Sequence, residues 1–135
     1  MKYSTRLSDA VHLLLFVQLN PGQPLSSKAI AKSICTNPSY VRQMMAKLKA
    51  AGLLNSSRGQ AKPSLSRAAG EISLLDVYRA VEGDKPLLHL DTHTNPDCGV
   101  GVHIQYALQT YFDRVQRETE ASMQQITLQD VLDTY

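Results

Sequence analysis

The run SSKAIAKSICTNPSYVRQMMAKLKAAG, residues 26–52, decides the fold. Ser26 can cap a short helix whose Ala29, Ile30 and Ile34 face inward. Thr36-Asn37-Pro38 then starts a new helix, because a capping side chain satisfies free N–H groups and proline at the first helical position has none to lose. That helix buries Val41, Met44, Met45 and Leu48, and Gly52 sits where a left-handed C-terminal cap belongs. Its other face carries Ser39, Arg42, Gln43 and Lys47. A short helix, a tight turn and a helix with a polar outer face make a helix-turn-helix.

Outward from this core the same signals recur. Leu7, Val11, Leu14 and Leu15 share one face of a helix over residues 5–19, which Asn20-Pro21-Gly22 stops. Downstream, helical period is lost over residues 53–65, where Arg58-Gly59 with Lys62-Pro63 marks a turn between two short strands. Ser73 caps a further helix with Leu74, Val77, Tyr78 and Val81, ending at Gly83. Residues 87–101 read as a loop, and a long helix follows with Ile104, Leu108, Tyr111, Phe112 and Val115 at helical spacing. Thr127 caps a last helix carrying Leu128, Val131 and Leu132. The expected fold is mainly α with a small β-wing, a winged helix-turn-helix followed by a long helix.

The chain has 135 residues, 43% hydrophobic and 19% charged, which suits one folded domain with its own core. Its formal charge of +2 hides a polarity. Residues 1–72 carry ten Lys or Arg against two acids, a net +8, whereas residues 73–135 carry four against ten, a net −6. The split suggests two jobs for two parts, residues 1–72 and residues 73–135, the first of them on a polyanion. No apolar run is long enough for a membrane span. Residues 10–19 follow Lys2 and Arg6 as in a secretory signal, but His12 and Gln18 interrupt them and no small-residue cleavage site follows. A cytoplasmic protein is expected, its two cysteines free thiols. His12 reads as a packing or polar boundary residue.

On double-stranded DNA the outer face has specific uses. An α-helix fits the major groove, where Arg42 can bond guanine, Gln43 adenine, and Ser39 a phosphate or base. Arg58 at the wing tip suits a narrow minor groove. Lys28, Lys32, Lys47, Lys49 and Lys62 would neutralise phosphates, which sets affinity but not sequence preference. Ser26, Asn37 and Tyr40 complete the candidate DNA-binding set. The plain alternative is a solvated surface on a small helical domain; the +8 over the same segment favours DNA.

The ordered motifs resemble a known family. Ala29-Ile30-Ala31, Asn37-Pro38-Ser39-Tyr40-Val41-Arg42-Gln43 and Leu48-Lys49-Ala50-Ala51-Gly52-Leu53 with Arg58-Gly59 are similar to the Rrf-two family of bacterial winged-helix regulators. Ser73-Leu74-Leu75-Asp76-Val77-Tyr78-Arg79-Ala80-Val81-Glu82-Gly83 resembles its helix after the wing, and Ile126-Thr127-Leu128-Gln129-Asp130-Val131-Leu132 its C-terminal signature. The resemblance implies a homodimeric DNA-binding transcription factor, usually a repressor. Its dimer interface would be the long helix, here Ile104, Leu108, Tyr111, Phe112 and Val115. One departure lies in the wing, where Lys62-Pro63 stands in place of the family's paired glycines.

The resemblance also bears on sensing. Cluster-holding members carry three cysteines about six residues apart before the long helix, since thiolates hold iron–sulfur clusters. Cys98 resembles the middle one, but Thr92 and Ile104 stand at the flanking positions. No iron–sulfur cluster, and no other cofactor, is expected. Some members without the ligand set are thiol-based oxidant sensors, which implies a redox role for Cys98 and Cys35. Cys98 lies just before a helix N-terminus, where the positive end of the backbone dipole faces it. Oxidation could join Cys35 of one protomer to Cys98 of its partner if their Cα atoms approach within about 7 Å. An unpaired Cys35 as a small core residue is the plain alternative.

A metal or small ligand held in the 87–103 loop remains open, since His89, Asp91, His93, Cys98 and His103 can all coordinate metal. An enzyme is not expected. Cys98 with His93 or His103 could pair as nucleophile and base, but no orienting group or phosphate cradle accompanies them. A protein-interaction module is the remaining class, one without salt-dependent DNA affinity.

Overall fold

The computed structural model describes residues 3–57 and 60–135. Helix α1 (Arg6–Leu19) is the centre of the packing and touches α2 (Ser27–Ile34), β2 (Gln60–Leu65), α4 (Leu74–Glu82) and α6 (Leu128–Thr134). With neighbours on several sides it needs a wide apolar stripe. Ala10, Leu13, Leu14 and Val17 are buried, while Leu7, Val11 and Leu15, expected at the centre of the stripe, are half-buried at its edge.

Helix α2 starts where Ser26 Oγ accepts a hydrogen bond from the Ala29 amide at 3.1 Å. Ile30 and Ala31 are buried and Ile34 is half-buried, but Ala29 is exposed. A one-position rotation separates this from the expected face, and two alanines on one helix cannot be told apart by period. The helix ends at Cys35, whose φ of 62° is left-handed and turns the chain sharply. Asn37 Oδ1 then accepts from the Tyr40 amide at 2.8 Å and Pro38 takes the first helical position, so α3 (Pro38–Ala50) begins as anticipated. It buries Val41, Met44 and Leu48, with Met45 half-buried at the margin. At its end Gly52 takes φ 74°, and the amides of Gly52 and Leu53 return to the carbonyls of Lys49 and Leu48. That pair of hydrogen bonds is the Schellman motif, which glycine adopts without strain.

Strand β1 (Leu54–Ser57) pairs antiparallel with β2, Leu54 opposite Leu65 and Asn55 opposite Ser64. Lys62 and Pro63 lie inside β2 rather than in the turn where the sequence suggested them. Pro63 falls opposite the irregular step between Asn55 and Ser57, where the ladder needs no donor from it. Arg58 and Gly59 lie outside the described residues.

A short 3-10 helix, η1 (Ala69–Glu71), leads into α4 and carried no clear sequence signal. Two capping boxes then sit side by side. Ser73 Oγ accepts from the Asp76 amide at 3.1 Å while Asp76 accepts from the Ser73 amide at 3.0 Å, and Thr127 with Asp130 repeats the arrangement at the start of α6. The amide of Leu74 donates to Ile126 and that of Leu128 to Ile72, which stitches the two helix starts together. Ile72, Val77, Val81 and Leu128 thereby join α1, α2 and α3 in one core. The C-terminal helix is thus part of the core that supports α3.

Helix α5 (Gly99–Gln124) begins two residues before the expected end of the loop, taking in Gly99-Val100-Gly101. It has 26 residues, about 39 Å at 1.5 Å per residue, and none of them is buried.

Candidate nucleic-acid interface and sensing loop

The outer face of α3 holds Ser39, Arg42, Gln43 and Lys47, all exposed. Arg42 Nη1 donates to Ser27 Oγ at 3.4 Å, so its guanidinium stands over the start of α2 and remains open to solvent. Lys28, Lys32, Lys49 and Lys62 are exposed on α2, α3 and β2. Ser26 and Asn37 spend their side-chain oxygens on the caps of α2 and α3, so their first role is to orient the helices. Arg58 falls outside the described residues.

Tyr40 is the candidate that the structure turns inward. It is half-buried, and its hydroxyl donates to Asp9 Oδ2 on α1 at 3.0 Å. Burial first, and the bond to Asp9 second, push the phenol up to about 12. It therefore stays neutral and ties α1 to the N-terminal end of α3. The partner lies 31 positions away, so no local pattern announced the pair. Beyond Tyr40, Gln43, Met44 and Lys47 of α3 face Arg6 of α1 and Val81 of α4 across a small cleft of about 90 Å³. Sequence reading counted Arg6 only as charge.

The segment between α4 and α5 is held against α5 by amide side chains. Gln116 Oε1 accepts from the Leu87 amide at 2.9 Å, and Gln105 Nε2 donates to the Asp91 carbonyl and to Thr94 Oγ1. These two glutamines were missed because amides on a polar helix face carry no motif. Cys98 occupies the N-cap position of α5, exposed and without a side-chain cap bond. Cys35 is also exposed, in the turn between α2 and α3, which excludes the alternative of a small core residue. Both are free thiols.

On α5, Ile104, Leu108, Tyr111 and Val115 are exposed, Ile104 at 52% and Tyr111 at 61%, while Phe112 is half-buried. The first four are spaced four, three and four residues apart, the spacing of a two-helix seam. Val100 and Tyr106 are further exposed apolar side chains on the helix that the sequence reading did not select.

A capped short helix, a left-handed turn, a helix with its polar face outward and a two-stranded wing define a winged helix-turn-helix protein. Comparison with known proteins narrows this. The family model Rrf2, described as an iron-dependent transcriptional regulator, matches residues 3–134. A Bacillus subtilis (strain 168) protein named as an HTH-type transcriptional regulator, YwnA, is 40% identical over 129 residues, 96% of either chain. A solved structure described as a DNA binding protein has TM-score 0.78 and 39% identity, covering 94% of this chain and 98% of that one. The oxidized form of Staphylococcus aureus CymR has TM-score 0.69 and 26% identity, covering 97% and 95%. The chain belongs to the Rrf2 family: it is an HTH-type transcriptional regulator of the bacterial, DNA-binding class and not an enzyme.

The family description names iron, and the donors present do not fit an iron–sulfur cluster. Cys98 and Thr94 border Gly101, where an added Cβ would lie 3.8 Å from the Cβ atom of each, and neither Thr94 nor Gly101 offers a thiolate beside Cys98. Nor are His89, Asp91, His93, Cys98 and His103 gathered as ligands: His93 Nδ1 is 4.0 Å from Asp91 Oδ1 with both side chains open to solvent. Among the described residues no group of three or more His, Cys, Asp or Glu is placed to hold a metal ion. Among the same residues no helix is long and apolar enough to cross a membrane.

Proposed function

We propose that this chain is a homodimeric, sequence-specific repressor in the cytoplasm whose hold on DNA is switched by thiol oxidation, without a cluster. The observation that carries the reading is the exposed Ser39, Arg42, Gln43 and Lys47 face of α3, fixed by caps on both helices within the +8 segment. Arg42 and Gln43 read base edges, while Lys28, Lys32, Lys47, Lys49 and Lys62 take phosphates. Arg42→Ala is expected to cost about 1–3 kcal/mol on the operator and to relax preference at one base position. Lys47→Ala weakens operator and random duplex nearly alike. Titrations of both variants against both duplexes check this; equal losses from the two changes would refute the division of roles.

For the switch, Cys98 attacks peroxide to give a sulfenic acid and water, and Cys35 then displaces a second water to form a disulfide. Support comes from the exposure of both thiols and from the position of Cys35 at the left-handed turn that aims α3. A disulfide there pulls on the helix-turn-helix itself. That a relative, CymR, has been solved in an oxidized form is consistent with this chemistry. Mild peroxide is expected to abolish the DNA shift of the wild-type protein and to leave that of Cys98→Ser intact. An unchanged oxidant response in the variant rules out Cys98 as the sensor.

A further inference from the structure

We infer that Arg6 is a phosphate ligand in the DNA complex, held in reserve by Glu82 in the free protein; this rests on the DNA-binding reading above. The starting point is the width of the groove. A helix about 10–12 Å across fills a major groove about 12 Å wide, so the sugar–phosphate rows run along its two flanks. The α3 flank toward α1 is the side of Gln43 and Lys47, and across the cleft of about 90 Å³ the facing wall is Arg6. Two cations, Arg6 and Lys47, thus converge on one concavity that the base-reading Gln43 also lines. The Arg6 side chain is 44% exposed, so it reaches solvent there.

The groups facing Arg6 explain its free-state position. Glu82 ends α4; its Oε2 lies 3.9 Å from Arg6 Nη1, outside hydrogen-bond distance, while its Oε1 accepts from the Ser4 hydroxyl. Asp9 is engaged by the Tyr40 hydroxyl. Arg6 is therefore loosely paired, and a phosphate can take it by forming the direct bonds that Glu82 does not make. Glu82 immediately precedes Gly83 and the segment leading to Cys98, so the competitor for Arg6 sits where the sensing part begins.

The test compares full-length wild type, Arg6→Gln, Arg6→Lys and Glu82→Gln in salt titrations against operator and random duplexes, with melting curves for each. Arg6→Gln should weaken both duplexes alike, and the slope of log affinity against log salt should become shallower by about 0.9 per protomer. Arg6→Lys, which keeps the charge, should keep the slope. Glu82→Gln leaves Arg6 in place and should tighten binding. An unchanged slope in a folded Arg6→Gln overturns the inference. If that variant melts early, binding by Glu82→Gln no tighter than wild type overturns it instead. A wild-type protein without salt-dependent affinity would overturn the DNA reading itself, a result distinct from either.

Discussion

Raising salt from about 50 to 200 mM is expected to lower DNA affinity by about 10³–10⁵, the loss that accompanies six to ten phosphate contacts. The expectation follows from counting exposed cations around α3. Each protomer presents Lys28, Lys32, Lys47 and Lys49 on the helix-turn-helix and Lys62 on the wing strand, all open to water. A dimer doubles the set. Each neutralised phosphate releases counterions, so log affinity should fall linearly with log salt at a slope of about −5 to −9. The ten acids of residues 73–135, three of them on α5, act in the opposite sense, since phosphate repels them. Fluorescence anisotropy on a labelled duplex measures the slope directly. A flat response would reject DNA as the partner of this face and favour a protein surface. A slope within the range on random duplex, with tighter binding to one sequence, separates the lysines' contribution from that of Arg42 and Gln43.

How far the sequence could be read depends on whether the determining chemistry is local. Ser26, Asn37-Pro38, Ser73 and Thr127 each cap the helix anticipated for them, because a cap is made by side chains within three residues of the amides they satisfy. Gly52 was legible for the same reason, as the Schellman turn needs a left-handed residue directly after the helix. The start of α5 was not: Gly99-Val100-Gly101 has low helix propensity and extends the look of a loop, yet the helix that follows carries it. Pro63 reads as a turn residue and is instead a strand residue, permitted by a step in register that only the paired strand defines. In the site, the outer face of α3 followed from period alone. Tyr40 and Arg6 did not, because their partners are Asp9, 31 positions distant, and Glu82, on another helix. Both arise because α1 and α3 each pack against α4. The loop histidines were legible as metal-competent residues, but side-chain type carries no information on whether they meet.

Replacing Leu108 by Asp is expected to take the protein from dimer to monomer. The argument begins with α5, which has no buried residue and yet displays Ile104, Leu108, Tyr111 and Val115 in one row. Such a row costs free energy in water and is covered when a second α5 lies along it. Fully burying a leucine is worth about 1.5–3 kcal/mol, and two-fold symmetry counts each substitution twice. Leu108 is 40% exposed in the single chain, so covering the rest is worth about 0.6–1.2 kcal/mol per chain, and Leu108→Asp should weaken dimerisation by about 1.2–2.4 kcal/mol, roughly 8- to 60-fold in the dissociation constant, before the larger cost of burying a carboxylate. Sedimentation or light scattering across a dilution series reads this shift. The melting of the core should change little, because Leu108 is exposed and belongs neither to the buried cluster that holds Leu13, Ile30, Val41 and Leu128 nor to the side chains packed against it. Tyr106→Asp is the control: Tyr106 is 73% exposed and lies off the 104–108–111–115 row, so the dimer should persist. DNA binding ties the two measurements together. A monomer places one α3 on the duplex instead of two, so the salt slope of Leu108→Asp should fall to about half that of the wild type. A Leu108→Asp protein that stays dimeric, or a monomer that keeps the full slope, would show that the row on α5 is not what joins two DNA-binding faces.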